Sequence, residues 1–487
     1  MAETHSAVVF FAGDRAYKLK KPVNLGFLDF TTAAARAAAC LRETELNRRF
    51  SPDVYLGVAE LRDATLPDVE TLVVMRRMPA ARRLSALVRS GAVVGGPVRQ
   101  VARILAAQHG QARRSDQISA EGSGPALARR WDDNLGQAAS CQSSLLDAGL
   151  IAEIRDLASR FVAGRGPLFD ARISTGRILD GHGDLLADDI YCLDDGPRVL
   201  DCLDFDDRLR WVDGVDDAAF LAMDLERLGA AGLARQFADW YCEFSGDPAP
   251  GSLRHHYLAY RAFVRAKVAC VRAGQGVPAS AGEARLLATL TIRHLRAGSV
   301  ELVVGGLPGT GKSSLASAIA GQLGWTVLSS DRIRKELAGL AADEPAAAGY
   351  RAGIYTAEWT ERTYAELLRR AELLLGSGES VIADASFSSA AHRAGAAAVA
   401  AQANAGFTQL LCTAPHDLAR QRISERAPGP SDADGEIAGL LAATFAPWPE
   451  ATTIDTTGSA LALALAAVRP HGPEHVWRPA RPVLAPG

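Results

Sequence analysis

The sequence predicts two mixed domains in tandem, an α+β unit and then an α/β unit whose doubly wound parallel sheet carries helices on both faces. Three observations predict it. Val300 to Ser314 reads VELVVGGLPGTGKSS, a β-forming run that breaks into a glycine-rich loop and then into a helical pattern. Beyond it, apolar strand-like runs alternate with helical stretches: LVV at 302, TVLSS at 326, SVIAD at 380, TQLLC at 408 and TTID at 452. Far upstream, Asp180 to Leu185 reads DGHGDL, and the acid-rich VLDCLDFDD follows from Val199.

The glycine-rich loop has the spacing of a phosphate cradle, with Gly306, Gly309, Thr310, Gly311, Lys312, Ser313 and Ser314 as candidate nucleotide contacts. Its glycines let successive N–H groups turn toward phosphate oxygens, and the helix opening at Lys312 adds its positive dipole end. Lys312 would reach the β- and γ-phosphates and Ser313 would ligate Mg²⁺, so ATP and Mg²⁺ are the expected cofactors.

The strand at 326 runs into SSDRIRKE, and carboxyl ends of parallel strands face the ligand crevice. Asp331 there can accept the proton of an attacking hydroxyl, while Arg334 and Lys335 can hold an anionic acceptor. The other reading of Asp331 is a cap of the helix that begins at Arg332, and capping does not exclude catalysis. Asp384, at the end of VIAD, suits a water-mediated Mg²⁺ ligand, an acceptor contact or a helix cap, with Arg393 following. Trp359, Tyr364, Leu367, Leu368, Ala371, Leu374 and Leu375 form an apolar stripe at helical spacing, read as core and closed by Gly376. Arg420, Arg422 and Arg426 precede APGPSDADG and read either as an arginine-bearing lid over phosphates or as a solvated helix face.

A length of 487 residues predicts more than one domain, and a formal charge of −3 gives no global field to recruit nucleic acid or an anionic membrane. Seven scattered cysteines without a C-x-x-C argue against a disulfide framework or a zinc site, and the N-terminus has no secretory pattern. A cytoplasmic protein without membrane partners is expected. Only six lysines occur (18, 20, 21, 267, 312 and 335), so each is a candidate phosphate ligand, a compact ammonium settling between phosphate oxygens where a guanidinium fork does not.

The strings GLPGTGKSS, SSDRIRKEL, VIADASF and RQRISER together resemble the P-loop kinase group that includes polynucleotide kinases, zeta toxins and small-molecule kinases. The resemblance covers Val300 to Val468. It implies Asp331 as general base, Arg334 as an acceptor contact and Arg426 as a lid residue on ATP, and it names no acceptor.

The string HGDL, with the later acidic strand and the Asp217-Ala218-Ala219-Phe220 helix start, resembles the aminoglycoside phosphotransferase branch of the protein-kinase-like fold, whose catalytic loop is H-G-D-L-x-x-x-N. That resemblance implies Asp184 as catalytic base and Asp204 as the Mg²⁺ ligand, with Asp201 the runner-up. It implies Lys18 on the α- and β-phosphates, oriented by Glu43 with Glu45 as fallback, and TLVVMRRMP at 71 as the strand and hinge between lobes. A plain surface lysine is the other reading of Lys18. Asp189 stands where the family has a metal-binding Asn, and FFAGDRAY offers a turn but no multi-glycine loop. The strings KLKKPVNLGFLDF, ELNRRF, VYLGV and YRAFVRAKVACVR resemble a group of bacterial two-domain proteins that fuse these two folds, over almost the whole chain.

The expected organisation is a protein-kinase-like domain over 1–290 (small lobe 1–80, large lobe 81–290), a joint near Ala273 to Gly282, a P-loop kinase domain over 298–470 and a loose tail over 471–487. The expected function is an ATP-dependent phosphotransferase acting on a small-molecule hydroxyl acceptor through the C-terminal domain, with a second nucleotide site in the first. The alternative is a regulatory ATPase whose N-terminal domain is a ligand-sensing pseudokinase. Near-neutral charge and the lack of an aromatic-basic groove count against nucleic-acid end modification.

Overall fold

The computed structural model describes residues 1–3, 6–24, 29–62, 69–141, 145–277, 279–298, 300–344, 346, 353–425, 431–432 and 435–468. The expected loose tail and Arg426 lie outside them. The chain divides into two compact units, Met1–Arg155 with Phe169–Ala249 and Tyr257–His294, and Asp156–Leu168 with Pro250–His256 and Leu295–Gly487. The stretch at 273–282, expected as the joint, lies within the first unit's segment Tyr257–His294, between the helices Gly251–Gly274 and Ala279–Leu295.

The first unit has a small lobe built on a sheet and a larger, mostly helical lobe. Its small lobe is an antiparallel sheet in the order β1 (Ala2–Glu3), β2 (Ala7–Ala12), β3 (Arg15–Lys20), β5 (Glu70–Arg76), β4 (Tyr55–Leu61). Helix α1 (Ala33–Arg48) starts where Thr32 Oγ1 accepts from the Ala35 N–H, and it brings Cys40 and Glu43 onto the sheet's buried face. Two short antiparallel pairs frame the HGDL segment of the large lobe. They are β6 (Ile178–Asp180) with β9 (Trp211–Asp213), and β7 (Ile190–Leu193) with β8 (Gly196–Val199). Helix α2 (Gly214–Arg227) is buried from Gly214 through Leu225 and anchors that segment from below.

In the second unit the five apolar runs are five parallel strands: β10 (Val300–Gly305), β11 (Thr326–Ser329), β12 (Val381–Asp384), β13 (Gly406–Thr413) and β14 (Thr452–Asp455). Their order is β11-β12-β10-β13-β14. Alternating residues feed two cores, as period-two side-chain geometry requires. Val303, Val381 and Ala383 pack with Tyr364, Leu367, Ala371 and Leu375 of α5 (Ala357–Gly376), while Val304, Ile382 and Leu410 pack with Leu315 and Ile319 of α3 (Lys312–Leu323). The first strand thus sits centrally and delivers the glycine-rich loop to the sheet's carboxyl edge, the expected ligand edge of such a fold.

Candidate functional site

Gly306, Gly309 and Gly311 have φ of 143°, 80° and 83°. At two of them glycine is also required by space: a Cβ at Gly306 would lie 2.6 Å from the Cys412 carbonyl oxygen, and one at Gly309 would collide with the Ala419 carbonyl oxygen. Thr310 Oγ1 donates to Leu307 O at 2.8 Å and Thr456 Oγ1 donates to Thr310 O at 2.9 Å, which fixes the curl of the loop from inside and outside. Helix α3 then starts at Lys312, directly after Gly311.

Ser313 donates a side-chain hydrogen bond to Asp384, the last residue of β12. Asp384 is 4% exposed, and its Oδ1 has no hydrogen-bond partner. Burial pushes its carboxyl up, against the Lys312 charge and the Ser313 hydroxyl. A hydroxyl beside an under-satisfied buried carboxylate is an oxygen donor set that suits Mg²⁺.

Asp331 lies in the first turn of α4 (Ser330–Leu337), whose cap position Ser329 makes no side-chain capping bond. Arg334, one turn on, is 7% exposed. Its Nη1 donates to Ile354 O at 2.8 Å and to Thr360 Oγ1 at 3.4 Å, and its guanidinium stacks over the Tyr355 ring. Burial lowers its pKa, while the Asp331 carboxylate supports the charge. Lys335 departs from expectation. It is 0% exposed, pairs with Asp432 at 3.2 Å and is not among the residues lining the cavity that holds Asp331, as neighbours on a helix diverge by about 100°. Arg393 is likewise a structural staple, donating to the carbonyls of Phe387, Ala446 and Pro447.

Two cavities meet at the loop. The larger, about 640 Å³, lies over Gly309 to Leu315 and is bounded by Arg422, Thr456 and Ser459. Arg422 is fixed there by bonds of 3.0 Å to Thr456 Oγ1 and Thr456 O, whereas Arg420 is not among the lining residues. The smaller, about 350 Å³, contains Asp331, Arg334, Tyr355, Glu361, Tyr364 and His392 on its wall. Lys312 lines both. No sequence motif marks Glu361 or His392, and Tyr364, read from sequence as core alone, serves core and cavity together.

In the first unit Lys18 of β3 pairs with Glu43 of α1 at 2.8 Å and with Asp201 at 3.0 Å. Lys20, two residues along the same face, binds the other Glu43 oxygen at 2.7 Å and Asp204 at 2.8 Å. Asp204, chosen from sequence as the metal ligand, is therefore engaged by Lys20, and the runner-up Asp201 occupies the place beside Lys18. Asp201 has φ +62°, a left-handed conformation uncommon outside glycine and concentrated at functional positions. Glu45, the fallback, is instead exposed and pairs with Arg42 at 3.0 Å.

Asp217, in the first turn of α2, accepts from the backbone N–H groups of His182 and Gly183 at 2.7 and 2.8 Å, and so fixes the turn that presents Asp184. Its carboxylate also meets His109 Nε2 at 2.9 Å, with Tyr241 Oη on the far ring nitrogen. Against burial, the His109 hydrogen bond holds Asp217 well below the usual carboxylate range. Burial pushes Asp184 up to about 6, and burial with the charges of Asp201 and Asp184 raises Asp189 well above its ordinary value. Burial opposes the ionised Lys18, but Asp201 and Glu43 hold its pKa well above the usual lysine range. Among the described residues no group of three or more His, Cys, Asp or Glu side chains stands ready to hold a metal ion. No helix of the described residues is long and apolar enough to cross a membrane.

Residues 302–447 match the protein-family model described as AAA domain. Two solved structures with kinase names are similar at low scores. A choline/ethanolamine kinase family protein from Mesorhizobium loti is 18% identical, covering 60% of this chain and 89% of that one, with a TM-score of 0.38. A gluconokinase from Sinorhizobium meliloti 1021 is 19% identical, covering 36% of this chain and 93% of that one, with a TM-score of 0.25. Uncharacterized protein Rv2004c of Mycobacterium tuberculosis (strain ATCC 25618 / H37Rv) is 45% identical over 459 residues, which are 94% of this chain and 92% of that protein. With that identity along nearly the full length of both, the chain belongs to the same family as this mycobacterial protein.

Proposed function

We propose that the second unit transfers the γ-phosphate of ATP to a hydroxyl of a small-molecule acceptor. The observation that carries this reading is Lys312 on the wall of two cavities, one over the phosphate loop and one holding Asp331. A nucleotide in the first cavity would place its terminal phosphate at the opening to the second. There an acceptor oxygen attacks phosphorus, the bond from phosphorus to the β–γ bridging oxygen breaks, ADP leaves, and Asp331 takes the hydroxyl proton. Ser313 and Asp384 would hold Mg²⁺, which when bound neutralises charge on the β- and γ-phosphates. A pure ATPase switch needs no acceptor cavity.

The first unit supplies a second Mg-nucleotide site in this reading, with Lys18, Glu43, Asp201 and Asp189 in the binding roles and Asp184 as base. A second reading, a ligand-sensing pseudokinase, is favoured by Asp189 in place of Asn and by a β2–β3 hairpin closed by Gly13 and Asp14 alone. The division of the chain near residues 290–298 into separately acting domains belongs to the proposal as well. The test is ATP consumption by the full chain with hydroxyl acceptors. Acceptor-stimulated turnover supports the kinase, and acceptor-independent turnover supports the switch.

A further inference from the structure

The smaller cavity also bears on what the acceptor is. Half of its eighteen lining residues carry hydroxyl groups, among them Ser330, Thr360, Ser386, Ser388 and Thr444. Ser386 and Ser388 reach the wall through a turn in which buried Phe387 has φ +47°, held by its N–H donating to Tyr364 Oη at 3.0 Å and by Arg393 donating to its carbonyl at 3.0 Å. A non-glycine residue kept in that conformation marks a turn specified by its surroundings.

The charged groups of the wall occur as opposites. Arg334 feels the charge of Asp331, and its Nη1 is committed to Ile354 O and Thr360 Oγ1 while its Nε is buried without a hydrogen-bond partner. His392 Nε2 lies 3.0 Å from Glu361 Oε1, and the imidazole stacks flat on Tyr364 with centroids 3.7 Å apart. Lys312 also lines the cavity proposed for the nucleotide, and Lys335 is buried on Asp432. Beyond Lys312 the described wall holds one cation, Arg334, against the two carboxylates of Asp331 and Glu361, so it carries no net positive charge to balance a phosphate or carboxylate on the acceptor. The volume, about 350 Å³, is near the lower end of the roughly 300–1,000 Å³ of ligand pockets.

Resting on the kinase reading above, we propose that the acceptor is an uncharged polyhydroxyl molecule of monosaccharide size, and that the Glu361–His392 pair reads one of its non-reacting hydroxyls. The Glu361 carboxylate fixes which imidazole nitrogen faces it, and Tyr364 fixes the ring plane, so the pair is oriented before the acceptor arrives. Glu361 and His392 are positioning residues; the attacking hydroxyl still loses its proton to Asp331.

The test is ATP consumption by the full chain with matched acceptors: free aldohexoses and hexitols against the same hexoses as phosphates and as aldonic acids. The neutral forms are expected to exceed their charged counterparts in kcat/KM by at least about tenfold, the penalty for a ligand charge that meets no partner. Charged forms that equal or exceed the neutral ones overturn the proposal and leave the kinase reading standing. Stimulation by none of them, with ATP turnover still dependent on Lys312, overturns both. His392→Phe, which keeps the stack on Tyr364, and Glu361→Gln, at an exposed position, are expected to raise acceptor KM about tenfold with kcat and ATP KM nearly unchanged. Unchanged acceptor KM in both variants overturns the role of the pair.

Discussion

At the C-terminal loop the surface under the larger cavity is backbone shaped by three positive-φ glycines, with Lys312 on the wall and the buried carboxyl of Asp384 behind Ser313. At the N-terminal site two lysines are already paired with three carboxylates, and Asp184 and Asp189 add two buried carboxyls whose ionisation burial opposes. In the proposed reading the C-terminal loop is set for an anion before it arrives. The N-terminal site would exchange its internal ion pairs for nucleotide and metal, so its binding free energy would be a difference between two sets of interactions. The comparison teaches that a lysine matters to phosphate through what else it holds: Lys312 lines open cavity on two sides, whereas Lys18 is bridged between Glu43 and Asp201.

The largest effect expected from this contrast is that of Lys312→Ala, which should lower acceptor-stimulated ATP turnover of the full chain by about 10²–10³, the scale of losing a pre-organised charge at the transferring group. Turnover within a factor of about two of the natural chain would move the chemistry elsewhere. Asp331→Asn should cost about 10² in turnover with nucleotide affinity by calorimetry preserved, the pattern of a lost base. Parallel loss of affinity and turnover would make Asp331 a helix-start residue only.

The N-terminal site sharpens the comparison through its two neighbouring aspartates. In a Lys312→Ala background that silences the second unit, Asp201→Ala should weaken Mg-ATP binding by about tenfold or more, whereas Asp204→Ala should change it much less. The reverse order would restore Asp204 as the metal ligand.

The smallest effect is on stability. Asp184 titrates near 6 in the fold because of burial, above the roughly 3.9 of a free Asp. The folded form therefore holds this proton more tightly, and the contribution is complete below about pH 4 and lost as pH rises through about 6. Asp184→Asn carries no charge to bury, so its Tm should gain on that of the natural chain between about pH 5 and about pH 7.5. A constant difference in Tm across that range would contradict the assignment.

The second unit was legible because its signals are local: each apolar run is one strand, and the loop's chemistry lies within nine consecutive residues, Gly306 to Ser314. What sequence could not separate were neighbours that diverge in space. Arg334 and Lys335 are adjacent, yet one lines the cavity and the other is buried on Asp432. Asp201 and Asp204 lie in an irregular stretch where a positive φ, invisible in an Asp, sends the first toward Lys18 and leaves the second to Lys20. Glu361 and His392 sit on different helices 31 positions apart, so no spacing rule could join them. His109 and Tyr241 support the HGDL turn only through Asp217, a three-residue chain assembled by tertiary packing.

The most direct measurement follows γ-phosphate-labelled ATP through the full chain in the presence of a neutral polyhydroxyl acceptor. Label should appear in a phosphate ester of the acceptor and disappear from it in Lys312→Ala. Label released only as inorganic phosphate, or ester formed equally well by Lys312→Ala, would contradict transfer by the glycine-rich loop.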